Sequence, residues 1–536
     1  MKYKFLVTSI FLVANFFTTT AQTALEKAPE NWFNLEQKKD NVPGVATEKA
    51  YNELLKGKKP QTIIVAVIDS GIDVNHEDLK DVMWNNDAEI AGNGIDDDKN
   101  GYVDDIHGWS FIGGKNGNVE KDTYEITREY GRLLKKYESM SEEDKKKDSE
   151  FDYFNKIEGE YNTTVDKMKT QQGSFMFFYK SYKKAKVLIE SYADTDSLTE
   201  AVVSAINSCD DKIKQAKGIM EYAVKNNVTQ EDLDDGFNYY DTGLNYGYNL
   251  NYNPRDLVGD NYNDITEKYY GSSDVIGVHN FHGTHVAGII AANRNNNIGI
   301  KGIADHVKVM AIRAVPNGDE RDKDIANAII YAVDNGARVI NMSFGKSYSP
   351  GKEAVDRAVQ YAASKNVLLV HAAGNSSKNL DKGGNFPTKK YITGTSADNW
   401  LEVGASSWKG GEHLAADFSN YGKTTVDVFA PGVAIYSTAP DQKYKEAQGT
   451  SMAAPVTAGV AALVMSYYPK LTAVQVKDII MQSTVKYKKQ KVNIPGKKGE
   501  QIKFNELSKT GGIVNAYEAI KLADKFSKGK LKIKKY

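Results

Sequence analysis

The chain has 536 residues, 41% of them hydrophobic and 26% charged, so it can bury a sizeable core and is not a disordered polyelectrolyte. Lysine plus arginine (69) nearly balances aspartate plus glutamate (70), which leaves no global basic field for nucleic acid, and no nucleic-acid-binding motif is present. The single cysteine, Cys209, excludes intramolecular disulfides, a cysteine zinc cluster and an iron–sulfur centre.

In chain order, residues 1–23 read MKYKFLVTSIFLVANFFTTTAQT: a positive start, an apolar run, and small residues at Thr19-Thr20-Ala21. That is the form of a secretory signal, assigned to 1–21, and it predicts export to a periplasmic or extracellular space. An N-terminal segment, 22–59, precedes the first element. No later stretch approaches ~18 uninterrupted apolar residues, so no transmembrane segment is expected in the mature chain. Ile63–Ile68 is a β-branched apolar run ending at Asp69-Ser70-Gly71, suited to a buried parallel strand with function at its carboxyl end. Similar runs recur at Val307–Ile312, Val339–Met342 and Val367–Val370, alternating with helical patterns at Asp324–Asn335 and Lys352–Lys365. This alternation predicts an α/β fold, a parallel sheet flanked by helices.

Between 121 and 245 the character changes to Lys, Glu, Asp and Tyr, and Ser141–Glu150 is almost wholly charged. Ser197 and Glu200 form a capping-box pattern ahead of an apolar stripe running from Leu198 through Val202, Cys209 and Ile213 to Ala223. The stripe predicts one long amphipathic helix with Cys209 in its core, within an inserted α-helical subdomain. At the C-terminal end, Lys525–Tyr536 holds six lysines in twelve residues and reads as a solvated basic tail.

Three segments carry chemistry: Asp69 at a strand end, Phe281–Asn293 (FHGTHVAGIIAAN), and Gln448–Leu463 (QGTSMAAPVTAGVAAL). A serine hydroxyl becomes a nucleophile when an imidazole takes its proton, and a carboxylate fixes the tautomer of that imidazole. A serine at a helix start also offers its own N–H to a developing oxyanion. VAVIDSGID, HGTHVAG and GTSMAAP, in that order, resemble the signature blocks of the subtilisin-like serine proteases. The order Asp, His, Ser differs from that of the α/β-hydrolases and of chymotrypsin. Val339–Gly345, His371–Asn375 and Val426–Thr438 resemble further family segments.

The resemblance implies a discontinuous subtilisin-like catalytic domain at 60–120 and 246–524, interrupted by the helical insertion at 121–245. It makes Asp69 the orienting carboxylate, His282 the general base, Ser451 the nucleophile and Asn375 the side-chain oxyanion donor. Ser343, Phe344 and Gly345 become the strand edge that pairs with substrate, and Asn317-Gly318-Asp319 the loop of the opposite edge. Asp319, Glu320 and Asp322 then either favour basic residues before the scissile bond or form a solvated acidic turn. His285 is read as a structural neighbour, because His-x-x-His lacks the spacing and glutamate of a zinc helix. Asp96, Asp98 and Asn100, followed by a glycine, match the start of an EF-hand-type loop, and with Tyr102 and Asp104 form a candidate structural calcium site; position 12 is His107, so the bidentate glutamate is missing. Catalysis needs no cofactor. The leading reading is an exported serine endopeptidase acting on polypeptides. The alternatives are an exopeptidase whose cleft the insertion restricts, or a silent binding module whose insertion meets an unknown partner.

Overall fold

The apolar runs become the strands of a central sheet in a computed structural model that describes residues 26–536; the expected signal at 1–21 lies outside the described residues. In chain order the strands are β1 (Ile63–Asp69), β2 (Gly108–Ser110), β3 (Val307–Arg313), β4 (Val339–Met342), β5 (Leu368–Ala372), β6 (Trp400–Ser406) and β7 (Val428–Pro431). A hairpin, β8 (Ile435–Ala439) and β9 (Lys443–Ala447), stands off the sheet, and β10 (Val485–Lys486) and β11 (Gly512–Ile513) complete it. The nine strands run in the order β10-β11-β7-β6-β5-β4-β1-β3-β2, parallel throughout except for the β10–β11 pair.

Side chains alternate across this sheet as the two-residue period demands. Val65, Val67, Val309 and Leu368 enter one core, while Ala66, Ile68, Met310 and Leu369 enter the other. The first core is covered by α6 (Phe281–Ala291), α9 (Thr450–Tyr467), α10 (Ala473–Ser483) and α11 (Ala516–Ser527), and the second by α7 (Asp322–Asp334) and α8 (Lys352–Ser364). Burial on both faces explains why these strands read as continuous apolar runs without alternation. Helix α9 is long and apolar enough to cross a membrane, yet 89% of it is buried in the core.

The N-terminal segment belongs to the same core. Trp32 is fully buried and its indole N–H donates to the carbonyls of Val433 and Ala434 at 3.2 and 3.0 Å. Farther along, the Ala516 N–H donates to the Val45 carbonyl at 2.7 Å, tying this segment to α11.

The insertion is helical: α1 (Glu125–Tyr137), α2 (Phe151–Ala193), α3 (Glu200–Ala205), α4 (Asp211–Lys225) and α5 (Gln230–Thr242). Helix α2 has 43 residues, about 65 Å of rise. Its near half packs with α1 around Leu133, Tyr137 and Ile157, and its far half with α3 and α4 around Ile189, Val203 and Met220. The two ends of the insertion meet, since the Tyr124 N–H donates to the Gly247 carbonyl at 2.9 Å.

Three expectations are corrected. The single helix from 198 to 223 is two helices, broken at 206–210, and Thr199 caps the first where Ser197 was expected. Asp210 causes the break: its carboxylate accepts the N–H groups of Lys212 and Ile213 and starts α4 afresh. Cys209 therefore sits in the linking turn, exposed, and is not a core residue. The basic tail is also more than solvated chain. Helix α11 reaches Ser527, and the irregular end beyond it runs along α10, where Gln482 exchanges two hydrogen bonds with the Lys534 backbone.

Candidate active site

Asp69 ends β1 and His282 opens α6, 213 positions later, yet His282 Nδ1 lies 2.8 and 3.0 Å from the two Asp69 carboxylate oxygens. Glycine makes the approach possible: a Cβ on Gly283 would fall 2.2 Å from the Gly71 carbonyl oxygen. Asp69 is 2% exposed and also accepts the Ser70 N–H at 2.8 Å, so the carboxylate is fixed before it meets the imidazole. Nδ1 donates to this acceptor, which leaves Nε2 as the free basic nitrogen facing the cleft. Burial opposes the imidazolium of His282, but the charge and hydrogen bond of Asp69 outweigh it and raise the pKa above the ordinary 6.5. His285, one turn on, is buried. Its Nε2 lies 3.1 and 3.0 Å from the carbonyls of Ile435 and Lys445, and burial pushes its pKa down to about 4. It fastens the β8–β9 hairpin to α6.

Ser451 stands in the first turn of α9, where backbone N–H groups have no intrahelical partner. Asn375 follows β5 through Gly374, whose φ of +98° turns the chain toward α9. The Asn375 side-chain oxygen accepts both the N–H and the hydroxyl of Thr450, each at 2.9 Å, so its amide NH₂ points the other way. A Cβ on Gly449 would lie 3.3 Å from Asn375 Nδ2 and 3.5 Å from the Ser451 nitrogen. The two donors thus border one space that glycine leaves open. The Ser451 hydroxyl itself donates to the Ser343 carbonyl at 3.2 Å rather than to His282 Nε2. Catalytic hydrogen bonds commonly loosen in this way without substrate.

Ser343, Phe344 and Gly345 follow β4 and line a cleft of about 330 Å³ together with Asp69, His282 and Gly318. The Phe344 carbonyl accepts from buried His371 at 2.9 Å, which holds the strand edge from behind. Across the cleft, Asn317 pairs on its outer side with Glu120 and Asp122, residues that lead into the insertion. The acidic turn beside it is not solvated. Asp319 accepts the Glu125 N–H at 2.8 Å, and Asp322 accepts from Ser349, Gly351 and Lys346. Glu320 is 2% exposed, lines the cleft, and has a buried Oε1 with no partner; burial pushes its pKa up to about 8.

Sequence reading missed the ion pairs around this turn. Lys346, buried, bridges Glu125 at 2.7 Å and Asp322 at 2.9 Å, and Arg321 grips Asp122 at 2.7 Å. Burial works against the charge of Glu125, but Lys346 and Arg128 outweigh it and hold the carboxyl down at about 2. Two of these partners, Glu125 and Arg128, belong to the insertion's first helix. No local motif pairs residues about two hundred positions apart, as in Glu125–Lys346 and Asp122–Arg321, so nothing in the sequence pointed to them.

The acidic loop is rearranged relative to the expected ligand set. Asp104 is occupied by the backbone N–H groups of Gly92, Asn93 and Gly94, and the Tyr102 ring is buried against Trp109 and Tyr331. The Asn100 amide donates to Asp98 and Asp105. Asp96 and Asp98 do converge, joined by the unforeseen Glu89, with one oxygen from each within 4.8 Å of the others. These carboxylates also accept loop N–H groups, Glu89 from Asp97 and Asp98 and Asp96 from Asn100 and Gly101, but unlike Asp104 they converge, and three hard oxygens at that spacing suit calcium chemistry.

Comparisons with known proteins point to one family. The sequence model described as the Subtilase family matches residues 232–504, about half of the chain, leaving Asp69 outside the match. The thermophilic serine proteinase of Bacillus sp. (strain AK1) is 43% identical over 204 residues, 38% of this chain and 46% of that protein. Thermitase of Thermoactinomyces vulgaris is 38% identical over 216 residues, covering 39% of this chain and 72% of thermitase. Subtilisin DY of Bacillus licheniformis is 39% identical over 200 residues, covering 37% and 68% respectively. This chain thus spans less than half of the first of these relatives and about two thirds or more of the other two.

Proposed function

The chain belongs to the subtilase family, and on that premise we propose that it is an exported serine endopeptidase with Asp69, His282 and Ser451 as its triad. The observation that carries the reading is the Asp69–His282 pair, joined at 2.8 Å, in one cleft with Ser343, whose carbonyl accepts the Ser451 hydroxyl. In the proposed reaction, substrate runs between the 317–319 and 343–345 edges. Its backbone N–H takes the Ser343 carbonyl and releases the Ser451 hydroxyl. The hydroxyl oxygen attacks the peptide carbonyl carbon while His282 Nε2 accepts its proton, and Asp69 steadies the imidazolium. Asn375 Nδ2 and the Ser451 N–H donate to the oxyanion as it forms. The imidazolium returns its proton to the leaving amine, and water repeats the sequence on the acyl-enzyme.

Gly345 borders both the catalytic cleft and a larger cavity beyond it, so the side that holds residues before the scissile bond continues past the cleft. That continuity supports internal cleavage over terminal trimming. Export rests on the leader pattern of 1–21. We also propose a structural calcium ion at Glu89, Asp96 and Asp98, with no part in the chemistry.

Intact mass after exposure to a fluorophosphonate tests the reading. One adduct on wild type, absent from Ser451→Ala, is expected. A folded but unlabelled wild type would sink it and favour the silent binding module. Activity should fall as pH drops through a value above 6.5, since His282 must be neutral to act.

A further inference from the structure

A cavity of about 940 Å³ lies between the catalytic core and the insertion. Its core wall is formed by Gly345, Lys346, Tyr348 and Asp319, and its opposite wall by Asn155, Gly159 and Thr163 of α2. Tyr124 and Tyr248, where the insertion leaves and rejoins the core, close it below. The Tyr348 hydroxyl donates to Glu160, so the far wall is bonded to the loop that continues the substrate edge. Gly345 lines the catalytic cleft as well, and Asp319 of the cavity stands between Gly318 and Glu320 of the cleft, so the two spaces adjoin along one edge. A chain paired along 343–345 advances about 3.3 Å per residue and enters this space within a few residues. The walls are polar and partly charged: Lys156, Glu160 and Lys378 stand among hydroxyls, an amide and tyrosines, all able to hydrogen-bond an extended backbone and polar side chains.

We propose that α2 of the insertion builds a substrate-binding channel, taking the extended, polar peptide segment that lies several residues before the scissile bond. The insertion is then part of the recognition machinery, and long polypeptides are the preferred ligands. The inference rests on the peptidase reading of the cleft.

The test uses the full chain with Ser451→Ala and fluorescent peptides that share four residues before the scissile position. Each carries an N-terminal extension of zero to six Ser, Asn and Gly residues. Affinity is expected to tighten about tenfold as the extension grows, the size of a few added backbone and side-chain pairs. Gly159→Trp should abolish this gain, because a side chain there meets nothing within 4 Å and would project into the channel. Thr163→Trp, one turn away, provides a second probe of the same wall. Gly173→Trp, in equally open space on the same helix but away from the cavity, should keep the gain. Equal affinity for short and long peptides, or a gain that survives both Gly159→Trp and Thr163→Trp, overturns the proposal. Fluorophosphonate labelling of wild type decides the peptidase reading separately: an unlabelled enzyme that still shows the length gain would fail as a peptidase and keep its channel.

Discussion

Around the sheet, the groups removed from water are Val65, Val67, Leu368 and Val370, each touching other apolar side chains; where the insertion meets that core, they are Lys346, Glu125, Arg321 and Asp122. Apolar burial is non-directional and tolerates small shifts, whereas a buried ion pair is favourable only in one arrangement. The sheet can therefore be specified by pattern alone. The insertion, lacking a broad apolar face toward the core, is positioned by charge. A third regime lies at its far end, where α3 and α4 pack on α2 through a small apolar cluster of their own.

Lys346→Met should break the second regime most severely. It leaves Asp322 buried without its cation and Glu125 with Arg128 alone, an effect of about 3–5 kcal/mol. Adding Glu125→Gln should restore part of that loss, and a melting temperature for Lys346→Met equal to wild type would refute the role of charge. Ile189→Ala, fully buried in the distal cluster, should cost about 2–5 kcal/mol locally. Faster amide exchange is expected across 182–233, with unchanged exchange in the sheet and unchanged Ser451 labelling. Equal loosening of the sheet would mean the far end is not a separate unit.

Glu320 sharpens the comparison through pH. Its folded pKa of about 8 lies above the ordinary 4.5, so the folded state keeps a proton that the unfolded state loses. Stability should decline as pH rises between those values. Glu320→Gln has no charge to lose, so its melting temperature should gain on wild type between pH 5 and pH 8. A constant difference would show that the carboxyl ionises normally. The smallest effect is expected from calcium: chelation should lower the melting temperature modestly, by mass action, and Asp96→Asn should make the protein indifferent to it. A chelator with no effect on wild type removes the ion from the description.

The core was legible because its signals are local. Ile63–Ile68 suits a two-sided buried strand, and Asp69, His282 and Ser451 sit in short blocks that point to one chemistry only when taken together, through their resemblance to a family. Asn375 was proposed through the same resemblance, although the contact with Thr450 that orients its amide was not foreseen. Other features depended on distant partners. Trp32 reads as any surface tryptophan until residues 433–434 are placed over it, and Glu89 joins Asp96 and Asp98 only through the folding of the 86–105 loop. The helix at 198–223 failed for a different reason. Its apolar spacing is real, but Asp210 offers backbone N–H groups a better acceptor than a continued turn, and periodicity does not register that competition.

The meeting of Tyr124 with Gly247 has a consequence for how such a protein can be built or dismantled. Closing a loop carries an entropy that grows only with the logarithm of its length, so a hundred residues hung between two touching points burden the sheet scarcely more than thirty. Topologically the helices are a cassette, removable with a linker of two or three residues. Electrically they are not, since excision takes Glu125 and Arg128 with it and leaves Lys346 to Asp322 alone. A minimal version would have to keep the first turn of α1 or replace Lys346 and Asp322 together with uncharged residues, and a graft of the cassette onto another scaffold would have to bring a lysine's position with it.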